Sequence, residues 1–244
     1  MNEPYALITG STSGIGLEIA YILAEKGFNL VLTARRKALL KKFSKHIKTK
    51  YKVNVDYIDC DLSDKNTPNK IYEFCNSNKY LINILINNAA TNPYFGHILD
   101  TDLGAFTKTM DVNVRGYFFM SVEGAKLMRE HGGGSIVNTA SINALKPGVA
   151  QGVYSISKAA VVNMTKSFAK ECGQFGIRVN ALLPGLTKTK FAGALFTNED
   201  IYKRAISAIP LGRHAEPDEM AGAVLFLVSS AGSYTNGETI VVDG

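Results

Sequence analysis

Tyr154 and Lys158 stand four residues apart in Tyr-Ser-Ile-Ser-Lys-Ala-Ala-Val-Val, at the start of a long helical pattern. That spacing places both side chains on one helix face. A phenol ionises near pH 10, about three units above neutrality, and so makes a poor acid or base there; a neighbouring ammonium lowers that value by favouring phenolate. A tyrosine tuned in this way gives a proton to a carbonyl oxygen or takes one from an alcohol. Ser141, at the end of an apolar run, offers a hydroxyl to hold that oxygen. A Tyr-x-x-x-Lys pair alone arises by chance on many amphipathic helices, so its meaning depends on the elements around it.

Those elements alternate. Strand candidates run over Tyr5 to Thr9, Asn29 to Thr33, Val53 to Ile58, Ile82 to Asn87, Ser135 to Ala140, Arg178 to Leu183 and Glu238 to Val242, with helical patterns between them. Runs such as ALIT, NLVL and ILIN are apolar on both faces, as parallel strands covered by helices must be. Right-handed crossovers then give a doubly wound sheet. The expectation is one α/β domain over residues 1–244, Rossmann-type, with a seven-stranded parallel sheet flanked by helices on both faces. Gly27 follows the Ile15 to Lys26 pattern as a helix C-cap.

In such a sheet a ligand lies beyond the carboxyl ends of the strands, where strand order reverses. Directly after the first strand the chain reads Gly10-Ser11-Thr12-Ser13-Gly14-Ile15-Gly16 and then enters an amphipathic helix. Glycines there let the backbone approach a pyrophosphate, and the helix start offers unpaired N–H groups. After the second strand comes Ala34-Arg35-Arg36 with no acid to bind a ribose hydroxyl. Guanidinium suits a 2′-phosphate, so NADP(H) is expected over NAD(H), although two surface arginines would read the same way. Asp61 and Leu62 follow the third strand, and Asn88, Ala89 and Ala90 the fourth. Asp61 would accept from an adenine amino group and Asn88 would line the ribose; both segments also suit ordinary turns.

Composition excludes other classes. The chain has 244 residues, 46% hydrophobic, with 3 cysteines and 4 histidines. The cysteines (Cys60, Cys75, Cys172) and histidines are widely spaced, which argues against a disulfide framework or a metal site. Neither a membrane span nor a signal peptide is expected, and the expected location is the cytoplasm. The net charge of +6 is concentrated near Lys37, Lys41, Lys42, Lys45 and Lys48, on a helix whose apolar positions are Leu39, Leu40, Phe43 and Ile47. Phe43 belongs to the apolar stripe and no series of aromatic residues interleaves those charges, so a solvated face fits better than a nucleic-acid surface.

The glycine turn, Asn-Asn-Ala-Ala, Asn113, Ser141, Tyr154, Lys158 and Pro184-Gly185 occur in the order and spacing of the short-chain dehydrogenase/reductase family, which the sequence resembles from end to end. The resemblance implies Asn113 in a proton relay, Ser141 orienting substrate, Tyr154 as acid/base and Lys158 tuning it while binding ribose hydroxyls. It places Pro184, Gly185, Thr187 and Thr189 along the nicotinamide and its carboxamide. Residues 81–244 look like the branch of NADP-dependent carbonyl and retinal reductases. Ala90 replaces a usual glycine, Asn83 a usual aspartate, and Ser13 lacks the basic side chain some NADP enzymes carry there.

The resemblance also implies a homotetramer, matching the excess of apolar residues on the Gly116 to His131 and Tyr154 to Phe175 helices. Residues 188–217, with Phe191, Leu195, Phe196, Ile201, Tyr202 and Ile206, are expected to form a substrate lid or a packed flap. Three activities remain open from the sequence: a carbonyl reductase or alcohol dehydrogenase, a 3-oxoacyl-carrier-protein reductase, and a non-catalytic NADP-binding regulator.

Overall fold

Apolar runs with no polar alternation form the central sheet. The computed structural model describes residues 4–196 and 199–244, apart from the side chains of residues 194, 195 and 201; the lid residues Leu195 and Ile201 therefore lie outside the described side chains. The strands are β1 (Pro4–Thr9), β2 (Asn29–Ala34), β3 (Val55–Asp59), β4 (Leu81–Asn87), β5 (Gly134–Thr139), β6 (Ile177–Pro184) and β7 (Thr239–Val242). The helices are α1 (Gly14–Glu25), α2 (Lys37–Tyr51), α3 (Thr67–Ser77), α4 (Leu103–Met110), α5 (Tyr117–Glu130), α6 (Gly152–Cys172), α7 (Gly193–Phe196), α8 (Glu199–Ser207) and α9 (Asp218–Val228).

All seven strands pair in parallel in the order β3-β2-β1-β4-β5-β6-β7, a doubly wound Rossmann-type sheet. Each expected strand is present, with ends moved by one or two residues. Alternate side chains supply two cores. Ala6, Ile8, Leu30 and Leu32 pack under Ile19 and Leu23 of α1, Leu40 and Ile47 of α2, and Val224 and Leu227 of α9. On the opposite face Leu7, Val31, Leu85 and Ile136 meet Ile71 and Tyr72 of α3 and Met120 and Met128 of α5, while Tyr117, Val161 and Met164 cover Ala181 and Leu183. On α2 the four lysines at 41, 42, 45 and 48 are exposed while Leu40 and Ile47 are buried, as the spacing predicts. Helix α1 ends as expected: Gly27 has φ +85°, and its N–H and that of Phe28 return to the carbonyls of Ala24 and Leu23.

Two features hold the α5/α6 side in register with the strand ends. Asn87 Nδ2 donates to Ser121 Oγ at 3.0 Å and Asn138 Oδ1 at 2.9 Å, and Asn138 Nδ2 donates to Thr165 Oγ1 at 2.9 Å. This buried chain of amides and hydroxyls joins β4 and β5 to both helices, and such networks specify one packing because misplacing any member leaves a polar group unpaired. Between α4 and α5 the backbone widens into a π-helical turn over Asp111–Gly116, a device that often marks functional positions. Asn113 sits within it. Among the described residues no helix is long and apolar enough to cross a membrane.

Candidate active site

The strand order reverses between β2 and β4, the two neighbours of β1, and the turn after β1 is fixed there by its own side chains. Thr9 Oγ1 donates to Ile86 O and accepts from the N–H groups of Asn88 and Ala89 at 2.9 and 3.0 Å. One hydroxyl therefore clamps the ends of β1 and β4 together. Gly10 turns the chain with φ +70°, and a Cβ on Gly16 would collide with Asn88 Nδ2 and Gly10 O. The turn lies that close to the start of α1, so backbone rather than side chains faces the space above it. This is a cradle that fits a diphosphate.

Above the strand ends opens a cavity of about 690 Å³. Of the expected cofactor and catalytic residues it brings together Gly10, Thr12, Ser13, Gly14, Ile15, Arg35, Arg36, Asp61, Leu62, Asn88, Ala89, Ala90, Ser141, Tyr154, Lys158, Pro184, Gly185, Thr187 and Thr189. Three expected residues stand behind its wall. Ser11 is buried with its hydroxyl directed to Thr33 O at 3.3 Å, and Gly16 packs on the turn. Asn113 is fully buried; its amide accepts from Thr91 N–H, donates to Thr91 O, both at 2.9 Å, and donates to Ser157 Oγ at 3.0 Å. It pins the loop after β4 to α6.

At one end of the cavity Arg36 reaches Thr12 Oγ1 at 3.3 Å and Ser13 Oγ at 3.5 Å. The hydroxyls of the turn thus hold a guanidinium beside it, although Ser13 carries no basic side chain of its own. Asp61 takes the N–H and hydroxyl of Ser63 on Oδ1, and Lys108 lies 3.4 Å from Oδ2. Partial burial opposes its charge, but these bonds outweigh it and hold the carboxyl below its usual range.

At the other end Ser141, Tyr154 and Lys158 meet. Tyr154 lies in the first turn of α6, hydrogen-bonded to Ser141, whose Oγ also accepts from Asn143 N–H at 3.1 Å. One turn on, Lys158 is 1% exposed and donates to Thr139 O at 2.7 Å, with its Nζ 5.7 Å from the centre of the Tyr154 ring. Burial pulls Lys158 down to about 7. Burial also pushes Tyr154 up to about 12, with Ser141 only partly opposing it. Both groups are thus desolvated, each toward its neutral form, and the protein by itself leaves the phenol protonated.

The sequence reading missed several lining residues. Thr139 carries a buried Oγ1 with no hydrogen-bond partner; its place at the end of β5 was the available signal. Asn143 and Gln151 face the cavity joined by a 2.9 Å amide bond, and they lie in loops whose composition gave no signal. Lys188 N–H donates to Ala215 O and Ala215 N–H to Leu186 O, both at 2.9 Å, and Phe191 meets the Tyr154 ring at 5.6 Å.

Comparison with known proteins agrees with this geometry. The model of a family described as enoyl-(acyl carrier protein) reductase matches residues 10–244. Dehydrogenase/reductase SDR family member 4 of Oryctolagus cuniculus is 36% identical over 239 residues, spanning 98% of this chain and 92% of that protein. Among solved structures, the L-sorbose reductase of Gluconobacter frateurii complexed with NADPH and L-sorbose superposes with a TM-score of 0.92 at 31% identity, covering 100% and 96% of the two chains. YwfH, an NADPH dependent reductase involved in bacilysin biosynthesis, gives 0.93 at 26% identity, covering 100% and 98%. The chain belongs to the short-chain dehydrogenase/reductase family. It is an oxidoreductase that moves hydride between a nicotinamide cofactor and a carbonyl or alcohol.

The depressed lysine has a consequence for stability. Between pH 7 and about 10 the unfolded chain holds a proton on Lys158 that the folded chain lacks, so its contribution to stability rises with pH in that window by up to about 1.4 kcal/mol per unit. Urea unfolding of Lys158→Met should lack this component, and the gap between variant and wild type should change steadily from pH 7 to 10. Parallel profiles would show that the lysine is not desolvated.

Proposed function

We propose that Tyr154 is the proton donor and acceptor of an NADP(H)-preferring carbonyl reductase or alcohol dehydrogenase. The observation that carries this reading is the buried trio: Ser141 bonded to Tyr154, with Lys158 one helical turn behind at the floor of the cavity. When bound, the nicotinamide supplies or accepts hydride, and its oxidised ring adds a positive charge. Ser141 holds the substrate oxygen, Tyr154 gives it a proton in reduction or removes one in oxidation, and the ammonium of Lys158 replaces the proton on the phenol or stabilises its loss. Asn113 acts as a positioning residue through Thr91 and Ser157, and residues 188–217 close the substrate end.

Preference for NADP(H) rests on Arg35 and Arg36 beside the turn and on the absence of an acid after β2. The free thiols of Cys60, Cys75 and Cys172 fit a reducing cytoplasm. Exposed Phe118, Phe119 and Ile156 on α5 and α6 fit self-association into a homotetramer, and light scattering on the purified protein should return four times the 26.4 kDa chain mass; a stable monomer would remove that part of the reading.

The experiment is NADPH oxidation followed by absorbance over ketones, aldehydes and an acetoacetyl thioester. Tyr154→Phe should lose at least about a hundredfold in kcat while binding NADPH normally. Turnover undiminished in that variant would overturn the assignment. In fluorescence titrations Arg36→Ala should weaken NADPH by about tenfold, one charge-assisted contact, and leave NADH nearly unchanged; equal losses for both would assign the arginine elsewhere.

A further inference from the structure

A dinucleotide diphosphate carries two negative charges, yet the turn that cradles it, Gly10 to Gly16, contains no basic side chain. The helix start and backbone N–H groups supply only partial charge. The opposite wall of the cavity provides what the turn lacks. Thr189 runs directly over the turn: a Cβ on Gly14 would lie 3.0 Å from Thr189 Cγ2. The next residue, Lys190, lines the same cavity. Its neighbour Lys188 is drawn away to Glu216 at 3.7 Å, whereas no described acidic side chain lies within salt-bridge distance of Lys190. Of the other cations of the cavity, Lys158 is committed to the Thr139 carbonyl, Lys108 to Asp61 and Ser63, and Arg36 to the hydroxyls of Thr12 and Ser13, while Arg35 stands at the far end, directly after β2.

We infer that Lys190 is the counter-charge of the cofactor diphosphate, closing on it from the side opposite the glycine turn. The inference rests on the cofactor reading above and deepens it. Lys190 lies on the segment that leads into α7 and α8 and continues from Phe191, which touches the Tyr154 ring. The same contact serves NADPH and NADH because the diphosphate is common to both. Arg36 differs in position, since it reaches the turn from the end of β2, where a 2′-phosphate would lie.

Calorimetric titration of the full chain separates these roles. Lys190→Gln should raise the dissociation constants of NADPH, NADH and ADP-ribose together by about tenfold, the size of one charge-assisted contact. Adenosine 2′-monophosphate, which lacks the diphosphate, should bind the variant as it binds wild type, and Lys190→Arg should restore most of the affinity. An unchanged melting temperature confirms that the variant is folded, as expected for an exposed side chain. Unaltered binding of all three diphosphate ligands overturns the inference, as does a loss confined to NADPH. Wild-type protein that bound none of the nucleotides would overturn the cofactor reading and this inference with it, so the two failures are distinct.

Discussion

The site depends on the burial of one ammonium. Lys158 is taken out of water and given the Thr139 carbonyl at 2.7 Å, which binds α6 to the end of β5. A lysine is kept in such a place only when the surroundings hold it there, because desolvation favours its neutral form. The surroundings are extensive. Tyr117 packs its ring 5.1 Å from the Nζ, and the Asn87, Asn138 and Thr165 chain fixes α6 against the sheet one layer below. The placing of Tyr154 and Lys158 is thus a product of helix-on-sheet packing as much as of the two residues themselves.

Around that point the fold divides the work between strand ends. The Thr9 hydroxyl locks the ends of β1 and β4, which set the dinucleotide cradle; the ends of β5 and β6 carry Ser141 and the Pro184-Gly185 turn. Parallel strands all deliver their carboxyl ends to one edge, so residues distant in sequence converge without any strand having to bend. The flap from residue 188 onward then contributes side chains from a segment whose two ends are paired through Lys188 and Ala215. Cofactor and substrate ends of the cavity consequently share one wall.

Much of this was legible in the residues, for physical reasons. Parallel strands buried on both faces are continuous apolar runs, as ALIT, NLVL and ILIN are, while the less buried β3 and β7 were visible by their place in the alternation; the glycine turn was legible because close backbone approach tolerates so few residue types. What escaped was of two kinds. The inner role of Asn113 depends on a π-helical turn, and no side-chain period announces a single extra residue per turn. The depth of Tyr154 and Lys158 escaped as well: sequence shows that an ammonium is near, but only the structure shows that both groups are dry, where burial favours the neutral form of each. Thr139, Asn143 and Gln151 were missed since each occupies a place where almost any small or polar residue reads as a turn or strand end.

The claim on which the account turns is that Lys158 sits desolvated at neutral pH beside Tyr154. The most direct measurement is a carbon NMR titration of the lysine side chains in the free protein, with Lys158→Met identifying the resonance. One lysine titrating near 7 and missing from the variant is the predicted result. A spectrum in which every lysine, Lys158 included, titrates at its ordinary value of about 10.4 would contradict it.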